Sequence, residues 1–307
     1  MLDPKLFSLL EVYETGNFTR AAERLSLTQP AVSQHIRSLE QSLGVRIFDR
    51  ANNMLKPTHE GEIVVKYAKR MLALHRNMQE ALAYNKLQIA SLTVGITHTA
   101  ESNAISETLA RYVRRNENVT IKVISSSADK LCMMLKNFEI DLAIIDGKKP
   151  DPAFRYLMLD TDSLVMIVSP SHRLAKRNTV TVEDLRKEKL ILRLPNSSTR
   201  NLFTSSLECR GMSLREFDVM LEMDNIATIK DLVRRNFGVS VLARSTCMDE
   251  VVRHKIVALP IENLPMMMET NLVYLPDFDH HELLSEIVRC YNEARNNSMK
   301  EQDFTWQ

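Results

Sequence analysis

Over the first ninety residues the apolar positions repeat with helical spacing; beyond them they gather into short runs. Leu6, Leu9, Leu10 and Tyr13 predict an amphipathic first helix that stops at Gly16-Asn17. Phe18 to Arg50 (FTRAAERLSLTQPAVSQHIRSLEQSLGVRIFDR) reads as a helix, a tight turn, a second helix and the start of a wing. In the second helix Val32, Ile36, Leu39 and Leu43 recur at spacings of four, three and four, which predicts one buried stripe. Pro30, Ser33, Gln34 and Arg37 fall on the opposite face, and Thr28 supplies an N-cap. Ala21, Ala22 and Leu25 give the preceding helix small contacts, so that the two helices can cross closely. Arg46-Ile47-Phe48 and Leu55-Lys56-Pro57 predict two short strands around Ala51-Asn52-Asn53, and Gly44 ends the helix before them.

A long helix follows, from Thr58 to about Gln88, with Glu60 and Glu62 in its first turn. Val64, Ala68, Met71, His75, Met78, Leu82 and Asn85 fall at alternating spacings of four and three. That is a heptad seam, which predicts pairing with a second copy, His75 and Asn85 being polar interruptions that fix register. After Ala90 strands and helices alternate. Ser91–Ile96, Val119–Ile124 and Asp141–Ile145 are expected strands, separated by helices over Ser102–Arg115 and Asp129–Phe138; this order predicts a parallel sheet covered on both faces. Leu164–Val168 and Thr270–Leu275 are strands that could carry the chain to a second lobe and back. Between them lie strands at Leu190–Arg193, Phe217–Glu222, Val239–Leu242 and Ile256–Ala258, with helices from about Thr199 and from Ile226. A helix from His280 to about Asn296 closes the fold, and the polar tail Asn297–Gln307 is expected to be loose.

A short helix that is apolar behind and carries Ser, Gln and Arg in front suits the DNA major groove, whose base edges those side chains can pair with. The string A-A-x-x-L-x-x-T-Q-P-A-V-S-x-x-I-x-x-L-E-x-x-L-G-x-x-I-F-x-R resembles the N-terminal domain of the LysR-type transcriptional regulators. The resemblance implies an α/β protein with an N-terminal all-α winged helix-turn-helix, whose effector part is two Rossmann-like lobes of the type 2 periplasmic-binding-protein kind. It divides the chain into a DNA-binding domain at 1–57, a linker helix at 58–90, lobe I at 91–163 plus 268–296, lobe II at 164–267 and the tail at 297–307. DNA contacts then fall to Thr19, Thr28, Gln29, Pro30, Ser33, Gln34 and Arg37, with Arg50, Asn52 and Lys56 on the wing. The implied partners are double-stranded promoter DNA, a small-molecule effector, a second copy through the linker helix, a tetramer built as a dimer of dimers, and RNA polymerase.

Composition changes this picture little. The 307 residues are 44% hydrophobic and 26% charged, as in a soluble globular protein. No apolar run approaches the roughly 20 residues that span a bilayer, and the start lacks the basic region of a signal peptide, so the cytoplasm is expected. Residues 1–90 hold 12 Lys and Arg against 9 Asp and Glu, a mild basic bias that permits phosphate contacts at chosen points. Cys132, Cys209, Cys247 and Cys290 are widely spaced, which speaks against a zinc site and for reduced thiols. Cys209 lies in the region where some LysR-type members sense oxidants, which leaves redox sensing as an alternative.

In open α/β sheets ligands sit beyond the carboxyl ends of strands and at helix N-termini. That rule selects four loops, Thr97–Ala100, Ser125–Ser127, Pro195–Arg200 and Asp224–Ala227. The third resembles a P-G-S-G-T-R loop of many family members, with Asn196 and Ser198 in place of both glycines. Rich in hydroxyls and poor in aromatics, the loops suggest a small polar, anionic effector held by Thr97, His98, Thr99, Ser126, Ser127, Ser198, Thr199 and Asn225. Capping alone would also explain the Ser and Thr residues that precede helices. An enzyme on a bilobal scaffold is the remote alternative, but no G-x-S-x-G, Walker, GxGxxG or metal-spaced motif occurs, and no cofactor or metal is called for.

Overall fold

A computed structural model describes residues 2–303 apart from 52–53, 88–89, 102–104, 117–118, 148–150 and 279–280. The chain forms two compact units, residues 1–90 with 136–139, and residues 91–135 with 140–307.

In the first unit, α1 (Pro4–Thr15), α2 (Phe18–Leu25) and α3 (Gln29–Leu43) are each started by a side chain that accepts from a first-turn N–H. Asp3 serves α1, Asn17 serves α2 and Thr28 serves α3, satisfying donors that an α-helix leaves unpaired. Val32, Ile36 and Leu39 pack with Leu9, Val12, Ala21, Ala22 and Ile47 in one core. Leu43, expected in that stripe, is instead 51% exposed, because α3 ends beside it at Gly44, whose φ of +67° turns the chain away. The wing strands are β1 (Phe48–Ala51) and β2 (Met54–Pro57), paired antiparallel.

The long helix α4 (His59–Leu87) starts against this unit. Thr58 Oγ1 accepts from the Gly61 N–H and donates to the Arg46 carbonyl, tying the wing's base to the helix start. Gly61 is buried so tightly that a Cβ there would lie 2.0 Å from the Ile47 carbonyl oxygen. Val65 and Ala68 follow it into the core, with Val64 partly buried beside them. Two members of the expected seam, Val64 and Ala68, therefore face this protein's own winged unit, and Ala68 is only 2% exposed. The exposed apolar stripe is Ile63, Tyr67, Met71, Leu74, Met78 and Leu82; His75 is half-buried, and the side chain of Asn85 lies outside the described residues.

In the second unit come β3 (Ala90–Ile96), α5 (His98–Glu101), α6 (Ile105–Arg115), β4 (Val119–Ser125), α7 (Ala128–Lys136), β5 (Leu142–Asp146) and β6 (Arg155–Val168). They are followed by α8 (Val182–Arg186), β7 (Lys189–Arg193), α9 (Ser198–Glu208), β8 (Asp218–Met223), α10 (Ile226–Arg234) and β9 (Ser240–Ala243). The chain ends with α11 (Met248–Val252), β10 (Val257–Leu259), β11 (Met267–Tyr274) and α12 (His281–Asp303). The main sheet runs β10-β6-β11-β5-β3-β4, with β9 also on β6. It is mixed rather than all-parallel: β3 and β5 are parallel, but β11 runs antiparallel to both β5 and β6.

The 14-residue β6 carries the chain between two cores. Its first part pairs with β11, while Leu164–Val168 pairs with β9 and β10. One core gathers Val94, Ile96, Leu142, Ile144, Leu272 and Ile287; the other gathers Leu164, Met166, Leu190, Leu192 and Phe203, the last edge-on to Phe217 at 6.3 Å. The two-stranded β7-β8 sheet is parallel and joins the second core through a bridge from Leu190 to Val239. The closing helix outruns its expected end at Asn296 and takes in the first part of the tail.

Candidate DNA-reading helix and ligand cavity

On α3, three of the four residues expected on the solvent face, Pro30, Gln34 and Arg37, are exposed together with Gln29, and Ser33 is half-buried. Thr19 and Thr28 are exposed, as is Lys56 on β2. Arg37 and Lys56 form no ion pair among the described residues, whereas Arg24 is held by Glu11 and Arg46 by Asp49. Free guanidinium and ammonium groups on a helix face and its wing are the donors that base edges and phosphates require. The face is held rigid from behind. His35 Nδ1 meets Ser8 Oγ at 2.7 Å, and Glu40 Oε1 accepts from the Ile47 N–H at 2.8 Å, joining the helix to the base of the wing. Of the expected wing contacts, Asn52 and the side chain of Arg50 lie outside the described residues.

A polar cavity opens within the second unit, between residues that follow β3 and β4 and residues at or after the ends of β7 and β8. Its walls are Thr97, His98, Thr99, Ser126, Ser127 and Ala128 from one side and Arg193, Asn196, Ser197, Ser198 and Asp224 from the other, around about 30 Å³. That is room for about two water molecules. Six of the expected effector contacts line it: Thr97, His98, Thr99, Ser126, Ser127 and Ser198. Thr199 stands just behind, its Oγ1 3.4 Å from that of Thr99. Asn225 does not line it; its Oδ1 caps α10 by accepting from the Thr228 N–H. Ser197 both lines the cavity and caps α9, so the two roles weighed for these hydroxyls coexist in one residue. The first residues of α7 and α9 bring two helix N-termini to the cavity, whose partial positive charge favours an anion.

Loop hydroxyls did not point to the strongest group in the cavity. Arg193, the last residue of β7, is 2% exposed, and its Nη2 donates to Asp224 Oδ1 at 2.7 Å. Its Nε and Nη1 have no hydrogen-bond partner among the described residues, a costly state for a buried cation. Asp224 also stands 3.5 Å from His98 Nε2, so it has an arginine on one side and a histidine on the other. Gly147, with φ of +74°, completes the close approach: a Cβ there would lie 2.9 Å from that of Ser198. Behind the cavity Asp146, the last residue of β5 and 1% exposed, accepts from Thr97 Oγ1 at 2.5 Å and Thr270 Oγ1 at 2.6 Å. Burial pushes its carboxyl up to about 6, against those hydrogen bonds, which pull it down.

Elsewhere the four cysteines are free thiols; Cys209 is exposed at the end of α9, and burial pushes Cys247 up to about 11. Among the described residues no three His, Cys, Asp or Glu side chains are grouped to hold a metal, and no helix is long and apolar enough to cross a membrane.

A capped helix-turn-helix with a polar outward face, joined to a two-core α/β unit with a polar cavity, defines a ligand-responsive DNA-binding regulator. Two family profiles match: "LysR substrate binding domain" over residues 86–295 and "Bacterial regulatory helix-turn-helix protein, lysR family" over residues 5–62. The chain belongs to the LysR family of transcriptional regulators, which act by binding DNA and are not enzymes. It is 28% identical to a probable RuBisCO transcriptional regulator of Cyanophora paradoxa, over 91% of this chain and 86% of that one. Among solved structures it is similar to full-length CbnR in complex with its target DNA, at a TM-score of 0.70 and 18% identity, covering 96% of this chain and all 100% of that one. The regulatory domain of Synechocystis PCC6803 CcmR in complex with 2-PG is similar at a TM-score of 0.59 and 20% identity, over 67% of this chain and 98% of that one.

Proposed function

We propose that this regulator is controlled by a small anion bound in the polar cavity of its α/β unit. The observation that carries the reading is Arg193, a buried guanidinium set near serine and threonine hydroxyls, with two nitrogens unpartnered among the described residues. A carboxylate or phosphate group would supply the acceptors those nitrogens lack, in a fork geometry that arginine suits better than lysine. Thr99, His98, Ser126, Ser127 and Ser198 would then orient the rest of the ligand. The 2-PG in the CcmR complex is an anion of this class. Thermal-shift measurements with a library of small anions test the reading. Anions should raise the melting temperature of the native protein and leave an Arg193→Ala variant unmoved; stabilisation by apolar or cationic compounds alone would refute it.

Gln29, Ser33, Gln34 and Arg37 on α3 read base edges in this proposal, and Lys56 with Arg50 and Asn52 positions the helix on the backbone. The exposed stripe Ile63, Tyr67, Met71, Leu74, Met78 and Leu82 supports pairing of α4 with a second copy, so that two recognition helices address two half-sites; a dimer of dimers extends this to a tetramer. The domain division read from the sequence is kept except that the closing helix takes residues 297–303 from the tail, with the working site in the cytoplasm, where promoter DNA and RNA polymerase are met.

A further inference from the structure

We propose that Asp146 sets the hydrogen-bonding polarity of the cavity: it takes up a proton from solvent when an anion binds, and so frees the Thr97 hydroxyl to donate to that anion. This rests on the anionic reading above. A threonine hydroxyl has one proton and two lone pairs. In the structure that one proton goes to Asp146 Oδ2 at 2.5 Å, so Thr97, which lines the cavity, offers it lone pairs only. An ionised carboxylate accepts and cannot donate, whereas a protonated one carries a single O–H. A proton on Oδ2 reverses the bond: Asp146 donates to Thr97 Oγ1, and the threonine's own proton turns to the ligand. Thr270 continues to donate to Oδ1, and the Ala100 N–H keeps its bond to the carboxyl.

The charged surroundings favour that uptake. Asp146 forms no ion pair among the described residues; Asp162 on β6 raises its proton affinity, and Glu269 lies next to Thr270 on β11. From α12, Tyr291 feels the Asp146 charge, its hydroxyl donating to Asp160 Oδ2, while Arg295 contacts Asp160 Oδ1. An anion in the cavity adds a like charge, which draws a proton to a group already raised to about 6. By linkage, the proton strengthens anion binding by the same factor.

The test is calorimetric titration of the full-length protein with sulfate, which keeps its two charges through the pH range used. It is run in a His98→Gln background, because protonated His98 would attract an anion by itself. Between about pH 6.5 and pH 8 the sulfate Kd should rise about tenfold per unit, with one proton taken up as read from buffers of different ionisation enthalpy. Asp146→Asn, whose amide can donate to Thr97 as the protonated carboxyl would, should bind tightly with no slope. Should that variant fail to fold, Thr97→Val should bind weakly with a shallower slope, since only the like-charge effect remains, and Thr97→Ser should restore both. A full slope in Asp146→Asn or Thr97→Val overturns the proposal. No slope in the His98→Gln protein, with sulfate binding lost in Arg193→Gln, removes the switch and leaves the anionic cavity standing. No sulfate binding by the native protein at any pH overturns both.

Discussion

Replacing Asp146 with asparagine changes the pH dependence of folding, and the direction and size follow from its surroundings. The carboxyl is buried, and its folded-state pKa of about 6 lies above the ordinary 3.8. Between those two values the folded chain binds more protons at this site than the unfolded chain does. Its contribution to stability therefore falls as pH rises from about 4 to about 6, and levels off above. The whole shift amounts to about 3 kcal/mol at 1.36 kcal/mol per unit. Between about pH 5 and pH 7.5 the linkage relation leaves about 1 to 2 kcal/mol of it. Asparagine is neutral throughout: its carbonyl can accept from Thr270 and its amide can donate to Thr97. The stability of Asp146→Asn minus that of the native protein should therefore grow by about 1 to 2 kcal/mol over that interval. Urea unfolding followed by circular dichroism at stepped pH reads this difference. A difference that stays flat, or that shrinks as pH rises, would refute the argument that desolvation outweighs the two threonine hydrogen bonds.

Gly61→Ala should cost about 3 kcal/mol or more in unfolding experiments, because its Cβ would meet a backbone carbonyl at 2.0 Å rather than a movable side chain. Gln29→Ala and Arg37→Ala should each weaken specific DNA binding by about 1–3 kcal/mol in footprinting, while Lys56→Ala lowers the salt slope by about one; unchanged affinity in both α3 variants would remove the helix from the groove. Met78→Asp combined with Leu82→Asp should lower the oligomeric state in analytical ultracentrifugation, since both side chains lie on the exposed stripe of α4, the latter 60% exposed.

The helix-turn-helix is legible in the sequence because its determinants are local. Asp3, Asn17 and Thr28 cap helices within three residues of the groups they serve, and Gly16 and Gly44 close them in the left-handed conformation. The α4 stripe was harder because the helix carries two apolar stripes. Gly61, Val65 and Ala68 form the one that packs against the winged unit, and their small size is the signal that backbone approaches closely there. A heptad count ignores side-chain size and so merged Val64 and Ala68 into the wrong stripe. The long β6 hid because its first four residues are exposed, so only its buried last part, Leu164–Val168, reads as an apolar run. Arg193 and Asp146 escape the sequence reading for a common reason: each closes a run of buried apolar residues, Leu190–Leu192 in β7 and Leu142–Ile145 in β5. A charged residue closing such a run, at the strand end where α/β folds place ligands, is itself the signal.

The size of the cavity decides how a ligand there acts on the rest of the protein. An organic anion larger than about two waters would fill the cavity best if its walls separated. Such separation would strain the Thr99–Thr199 contact at 3.4 Å and the His98–Asp224 approach at 3.5 Å, and an anion reaching Nη2 of Arg193 would displace Asp224 from it. On the proposed reading, Asp224 would hold the arginine in the closed cavity and give it up to the ligand. Exchanging one carboxylate for another at the same guanidinium contributes little net energy, so affinity must come from Nε and Nη1, which no described protein group satisfies. That difference between the closed and open arrangements is the quantity that can shift their populations. A ligand that gained nothing beyond what Asp224 already supplies would bind without switching. Asp224→Asn separates the two effects. It should tighten anion binding by removing the competitor, yet leave a smaller difference in DNA affinity between the ligand-free and ligand-bound protein.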